Sequence, residues 1–185
     1  MYKDLFLRVK NILLKPADEW KKIFRDNIDA NQILAEYLLP LIGICTLASF
    51  ISVLINLPEI NFEVALKHAL VIFMALFGGL YLAFLIAGLI FPLFRITESK
   101  SVHLSIIAFS STPFLIVVFL VILFPEWKIL YLASLYSYYI IWQGVKGFPG
   151  INANSALTIS TIIAFIIHFL PFFVQKLFVF LFFKL

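Results

Sequence analysis

The residues best suited to chemistry in this chain are a histidine and a group of hydroxyls, all in apolar surroundings. His168 lies deep in an apolar segment, and Ser110–Thr112 directly precede Pro113. A Ser–His dyad for hydrolysis is one alternative, although no glycine-framed turn surrounds the serines and nothing obvious orients the histidine. The alternative that we favour is structural. In this interpretation His168 is neutral and hydrogen-bonded to a serine, a tyrosine or a free carbonyl. The hydroxyls of Ser110–Thr112 satisfy backbone groups beside Pro113.

Nothing else in the sequence has the spacing of a catalytic or metal centre. Cys45 is the only cysteine, so neither an internal disulfide nor a cysteine-based metal site is expected. The glycines of the loop 146–155 are turn residues, because no Gly-Lys-Ser/Thr follows them as in a phosphate-binding loop. We therefore expect a protein that is not an enzyme, with no catalytic residue, no metal and no cofactor.

The composition is that of a membrane protein. The chain is 63% hydrophobic and only 13% charged, whereas soluble domains contain about 25% charged residues. From Ala69 to Phe94, 26 residues contain no Asp, Glu, Lys or Arg. At about 1.5 Å per residue, such a helix crosses a hydrocarbon core of about 30 Å. We expect the lipid bilayer to be the chain's main partner, and no nucleic acid is expected despite the pI of about 9.2.

Five apolar segments approach or exceed the length of a membrane span. We predict an all-α polytopic membrane protein that forms a single domain over residues 1–185, with an amphipathic interfacial leader (residues 1–36) before five transmembrane helices. The predicted spans are 37–57, 66–94, 104–124, 129–145 and 156–174. The second is long enough to require tilt, and the fourth is near the lower length limit.

The leader is predicted to form two short helices that lie in the membrane interface. Pro16 suits the first position of the second helix. Trp20, Ile23 and Phe24 then repeat at helical spacing, and we interpret this apolar face as an interfacial anchor. An ordinary helical cap packed on the bundle would show the same periodicity.

Two stripes of small residues indicate helix contacts. The first stripe is Ala75, Gly79, Ala83 and Ala87, and the second stripe is Ala156, Ser160 and Ala164. Small residues at every fourth position let two membrane helices approach closely, so we predict that both stripes are seams inside the bundle and are candidates to face each other. A seam between two copies of the chain is the alternative.

The fourth predicted span carries a face of large side chains. Tyr131, Leu135, Tyr138 and Trp142 lie along it. Such a face usually serves packing and anchoring at the membrane interface. An aromatic-lined groove for a ligand or a lipid is the alternative.

The cationic residues predict the orientation of the chain. With the N-terminus inside, ten of the 14 Lys and Arg lie in inner regions, and seven of these belong to the leader. Because cytoplasmic loops of membrane proteins carry an excess of Lys and Arg, we expect the N-terminus in the cytoplasm and the C-terminus outside.

The layout as a whole resembles the Yip1 domain family. The strings that carry the resemblance are Leu-x-Pro-x-x-x-Trp-x-x-Ile from Leu14 to Ile23, Tyr-x-x-Pro-Leu from Tyr37 to Leu41, the pair Gly78 and Gly79, Ser-Ser-x-Pro from Ser110 to Pro113, Leu-Tyr-x-x-Tyr-x-x-Trp-x-Gly from Leu135 to Gly144, and the loop into Ala156. The resemblance implies five spans with a cytoplasmic N-terminus. The compact chain is similar to the bacterial members, so the bacterial cytoplasmic (inner) membrane is the expected location.

The resemblance also bears on partners and function. Eukaryotic members bind small GTPases of the Rab type, but this chain lacks their long polar N-terminal region, which speaks against Rab binding. We expect a membrane-organising or protein-interaction role, through other membrane proteins or self-association. The rival is a small transporter or channel, or a transporter subunit. Its polar cavity at mid-depth would be lined by His168, Gln143, the tyrosines of the fourth span and the Ser110–Thr112 group.

Overall fold

A computed structural model describes residues 2–56, 60–96 and 99–183, and every regular element in these ranges is helical. The α-helices are α1 (Tyr2–Leu14), α2 (Pro16–Asp26), α3 (Ala30–Asn56, with a π turn at Leu34–Leu38), α4 (Phe62–Ile90), α5 (Lys100–Ser110), α6 (Thr112–Leu123), α7 (Tyr136–Val145) and α8 (Ala153–Phe183). A short 3-10 turn, Phe91–Phe94, extends α4, and a longer 3-10 segment, Pro125–Leu135, leads into α7. The predicted all-α fold is confirmed.

Four helical stretches in the described part of the chain are long and apolar enough to cross a bilayer. They are Ala30–Asn56, Phe62–Phe94, Lys100–Leu123 and Ala153–Phe182. They correspond to the first, second, third and fifth predicted spans, so a multi-pass membrane architecture is confirmed. The third stretch is the most enclosed, with 67% of its most apolar window buried against 28–39% in the other three. It is therefore the central element of the bundle.

The fourth predicted span, 129–145, is not a single α-helix. The chain keeps to a 3-10 path through Leu135 and is α-helical only in the ten residues of α7. Two side-chain contacts accompany this change. The Ser134 hydroxyl donates to the carbonyl of Tyr131, and Ser134 Oγ also contacts His168 of α8. The prediction of five membrane-length helices is therefore confirmed for four of them only.

Helices α4, α5 and α8 begin three or four residues before the predicted spans, at Phe62, Lys100 and Ala153, and three larger differences from the prediction follow. Helix α3 begins at Ala30, so residues 30–36, which were assigned to the leader, belong to the first spanning helix. The third predicted span is divided at Ser111, where α5 ends and α6 begins. Helix α8 continues to Phe183, well past the predicted end of the fifth span. The predicted last residue of the first span, 57, lies outside the described residues.

Asparagine and aspartate side chains set the starts of three long helices. Asp29 accepts a hydrogen bond from the N–H of Asn31 at the start of α3, and Asn61 accepts one from Val64 at the start of α4. At the start of α8, Asn152 accepts one from Ser155 at 2.7 Å. Such caps satisfy the free N–H groups of a first turn.

Candidate functional sites at the two ends of the bundle

The first stripe lies on the buried face of α4. All four of its members, Ala75, Gly79, Ala83 and Ala87, are buried. A Cβ atom built on Gly79 would lie 2.5 Å from the backbone nitrogen of Pro171 in α8. Only a glycine therefore lets the two backbones come this close. A Cβ on the neighbouring Gly78 would meet Val174 at 3.6 Å, an ordinary contact.

The second stripe is only partly buried. Ala156 and Ser160 lie in the core, where the Ser160 hydroxyl donates to the Ala156 carbonyl at 2.7 Å. Ala164 is half-buried. The residue of α8 that meets Gly79 is Pro171, which is not a member of the stripe. The helix contact around Gly79 is thus built from the first stripe and a proline.

The apolar face of α2 is covered by protein. Trp20 and Ile23 are each 2% exposed, and Phe24 is half-buried with its ring stacked on Trp20. The indole N–H of Trp20 donates to the carbonyl of Ile140 at 2.9 Å, and its ring lies against Gly144 of α7. The predicted interfacial anchor is thus corrected, because these side chains fasten α2 to the bundle. Helical periodicity shows that a face is apolar but does not show what covers it.

A buried carboxylate joins the two leader helices. Glu19 of α2 is 4% exposed, and its carboxylate lies 3.9 Å from Arg8 Nε and 3.8 Å from Lys22 Nζ. The Arg8 guanidinium also lies over the Phe109 ring, 5.7 Å from its centroid. A buried charge needs partners of opposite sign, so the pairing of Glu19 with Arg8 fixes the position of α1 relative to α2.

Beside this carboxylate, a pocket of about 370 Å³ opens between α1, α3 and the end of α5. We call it the leader pocket; its lining residues are Asp4, Leu5, Arg8, Ile28, Gln32, Ile33, Glu36, Tyr37 and Phe109. Charged and amide groups share the lining with apolar side chains. The hydroxyl of Tyr37 lies 2.7 Å from Thr112 Oγ1, at the start of α6.

The hydroxyls before Pro113 serve the backbone. The Ser111 hydroxyl donates to the Ala108 carbonyl at 2.9 Å, and the Thr112 hydroxyl donates to the Phe109 carbonyl at 2.7 Å. Because Thr112 has only one hydroxyl proton, Tyr37 is the donor in the bond between them. These bonds satisfy carbonyls where the helix is divided, and they fit the structural alternative given above.

His168 lies at the midpoint of α8, on a second cavity of about 480 Å³. We call it the α8 cavity; it is lined by Ile72, Ala75, Leu76, Phe114, Val118, Ile122, Tyr131, Ser134, Leu135, His168, Pro171, Phe172 and Gln175. His168 Nδ1 lies 2.8 Å from the Ala164 carbonyl, and Nε2 lies 2.9 Å from Ser134 Oγ. The serine that meets this histidine is therefore Ser134, which the sequence did not single out.

The polar groups named for a transport cavity do not line one cavity. His168 and Tyr131 face the α8 cavity, whereas Gln143 and Ser110–Thr112 are absent from its lining. Within the described ranges, no group of three or more His, Cys, Asp or Glu is placed to hold a metal ion. The two pockets of interest are thus a charged one at the leader and a largely apolar one around His168.

Most of the chain is similar to one family of known proteins. A family model described as the Yip1 domain matches residues 10–174, from within α1 to within α8. No curated protein and no solved structure matches the chain. The matched range contains Trp20, both stripes and His168.

Proposed function

The chain belongs to the Yip1 domain family, and from this premise we propose that it is a non-enzymatic membrane protein that holds a segment of another membrane protein in its leader pocket. What supports a non-enzymatic role is the state of the hydroxyls and the histidine. Ser111 and Thr112 donate to backbone carbonyls, and His168 lies between a carbonyl and Ser134. None of these three is an activated nucleophile, and the serine beside the histidine, Ser134, donates its only proton to the Tyr131 carbonyl at 2.6 Å instead of to His168.

The leader pocket is the observation that carries this proposal. Its lining has charges of both signs, in Asp4, Arg8 and Glu36, next to apolar side chains such as Phe109. A polypeptide segment at the membrane surface offers the same mixture, and arginine and aromatic residues are enriched in protein interfaces. Helix α1 forms one wall of this pocket. It is paired through Arg8 with Glu19 of α2, and Trp20 fastens α2 to the bundle, so the site is formed before a partner arrives.

Transport is the weaker reading of the geometry. In a transporter, the polar side chains named above would have to line one water-filled cavity. Gln143 and Ser110–Thr112 are absent from the lining of the α8 cavity. The aromatic ring of Phe114 also packs against His168, with 5.1 Å between ring centroids. The interaction role is therefore the one that we put forward.

We further propose that Pro125–Val145 forms the remaining membrane crossing. A kink at Trp127 interrupts the 3-10 segment, so its straight part begins at Lys128. A 3-10 helix rises about 2.0 Å per residue and an α-helix about 1.5 Å, so Lys128–Leu135 and α7 together reach roughly 31 Å, which matches a hydrocarbon core of about 30 Å. Five crossings place the two ends of the chain on opposite sides. The excess of Lys and Arg in the leader supports a cytoplasmic N-terminus in a bacterial inner membrane. Lys184, counted as external, lies outside the described residues.

Photo-crosslinking in native membranes tests the interaction role. A photoreactive residue in place of Gln32, which is exposed at the leader pocket, is expected to give a discrete adduct with another membrane protein. The matched control replaces Asn154, which is exposed in the first turn of α8, outside the pocket. Equal adducts from both positions, or lipid adducts alone from Gln32, would contradict the proposal. An adduct with a second copy of the chain would instead identify self-association.

A further inference from the structure

We propose that the α8 cavity binds a long-chain fatty acid in its protonated form, with the carboxyl group on His168 Nε2, beside Ser134. The cavity lies between α4, α6, the 3-10 segment and α8, and no residue of α1 or α2 lines it. Its volume of about 480 Å³ falls within the usual range for ligand pockets, about 300–1,000 Å³.

The lining selects an apolar ligand body. Nine of the 13 lining residues are apolar, and the polar ones are Tyr131, Ser134, His168 and Gln175. No Asp, Glu, Lys or Arg is among them. An ionised phosphate or ammonium head would lose its hydration there without gaining a counter-charge, which is costly in an apolar interior. The polar head of the ligand must therefore be neutral and able to form hydrogen bonds.

His168, which lines the cavity beside Ser134, offers a position that a carboxylic acid can fill. The Ala164 carbonyl can only accept a hydrogen bond, so His168 Nδ1 carries the proton. In the neutral ring Nε2 is then an acceptor. The single proton of Ser134 goes to the Tyr131 carbonyl at 2.6 Å, so Nε2, 2.9 Å from Ser134 Oγ, is an acceptor that still needs a donor. A protonated carboxyl group has a donor and an acceptor on adjacent oxygens. Its O–H supplies the missing donor to Nε2, and Ser134 keeps its bond to the Tyr131 carbonyl.

The test uses the full chain in phosphatidylcholine nanodiscs, with palmitic acid that carries a photoreactive diazirine midway along its chain. Labelling is expected on peptides of α4, α6 and α8 that line the cavity. Unlabelled palmitic acid is expected to compete at a concentration at least tenfold lower than methyl palmitate, because the ester has lost the O–H donor. Equal competition by acid and ester would overturn the proposal, and so would labelling spread evenly over the lipid-facing surface.

Two pairs of variants keep the test specific. His168→Phe is expected to weaken competition by palmitic acid about tenfold. His68→Phe is the control and is expected to leave the competition unchanged. It removes a similar contact, from Nδ1 to the Val64 carbonyl, at a position outside the cavity. Ile72→Trp fills the cavity and is expected to abolish labelling, whereas Leu70→Trp on the exposed face of the same helix does not. Unaltered labelling of both His168→Phe and Ile72→Trp would overturn the proposal. None of these readouts depends on the leader pocket.

Discussion

The indole N–H of Trp20 donates to the carbonyl oxygen of Ile140 at 2.9 Å, across 120 residues of sequence. One helical turn further along α7, Gly144 leaves room for the ring, since a Cβ there would lie 2.7 Å from Trp20 Cε2. Trp20 thus uses one turn of α7 for both its polar and its apolar contacts. Together with the Arg8 contact to Phe109 and the Phe24 contact to Phe148, this side chain joins the leader to the bundle.

Replacing Trp20 with Phe is expected to loosen α2 without unfolding the bundle. The change removes the bond to Ile140 and part of the ring packing, which we expect to cost about 1–3 kcal/mol. Hydrogen exchange of the α2 amides in detergent measures this loss as faster exchange, while α4 and α8 remain protected. Trp127→Phe, at a position 51% exposed, is the control. Unchanged exchange in α2 would show that the leader is held by other contacts.

The Gly144→Ala variant tests the same contact from the side of α7. A methyl group at this position displaces the indole, so α2 amides are expected to exchange faster although alanine favours helix by about 1 kcal/mol. Gly43→Ala is the matched control, because nothing lies within 4 Å of a Cβ built there. If both variants kept the exchange rates of the original chain, the contact between Trp20 and Gly144 would not be as close as described.

The adjacent glycines of α4 provide a matched pair for the seam with α8. Gly79→Ala places a methyl group against the backbone of Pro171, so the helices must separate, at an expected cost of about 1–3 kcal/mol. Gly78→Ala meets only the flexible Val174 side chain and is expected to be nearly neutral. Thermal unfolding in one detergent compares the two variants. Equal midpoints would contradict the assignment of Gly79 to the seam.

Local patterns predicted the apolar helices and the faces that they bury. The spacing of Ala75 and Gly79 indicated a close helix contact, and the Trp20 repeat indicated an apolar face on α2. The partners could not be read from the same patterns. Pro171 and Ile140 are distant in sequence from the residues that they meet, and one-dimensional periodicity contains no information on such pairs.

The segment before α7 shows a second limit. Hydropathy over 129–145 depends only on composition, so it predicts a single spanning helix. The chain instead forms a 3-10 segment followed by a short α-helix. The 2.9 Å contact between His168 Nε2 and Ser134 Oγ belongs to this geometry. For His168, the sequence indicated a bonded histidine, but it could not indicate which serine would meet it or that a cavity would lie beside them.

The central claim is that the bundle crosses the membrane five times with its leader in the cytoplasm. This claim is tested most directly at the two ends of Pro125–Val145. In a Cys45→Ala background, Lys128→Cys and Lys146→Cys place single thiols at exposed positions near the start of the proposed crossing and directly after its end. Labelling of intact cells with a membrane-impermeant maleimide is the measurement. The account predicts that position 128 reacts from outside, whereas position 146 reacts only after the membrane is permeabilised. Reaction of both positions from the same side would contradict it.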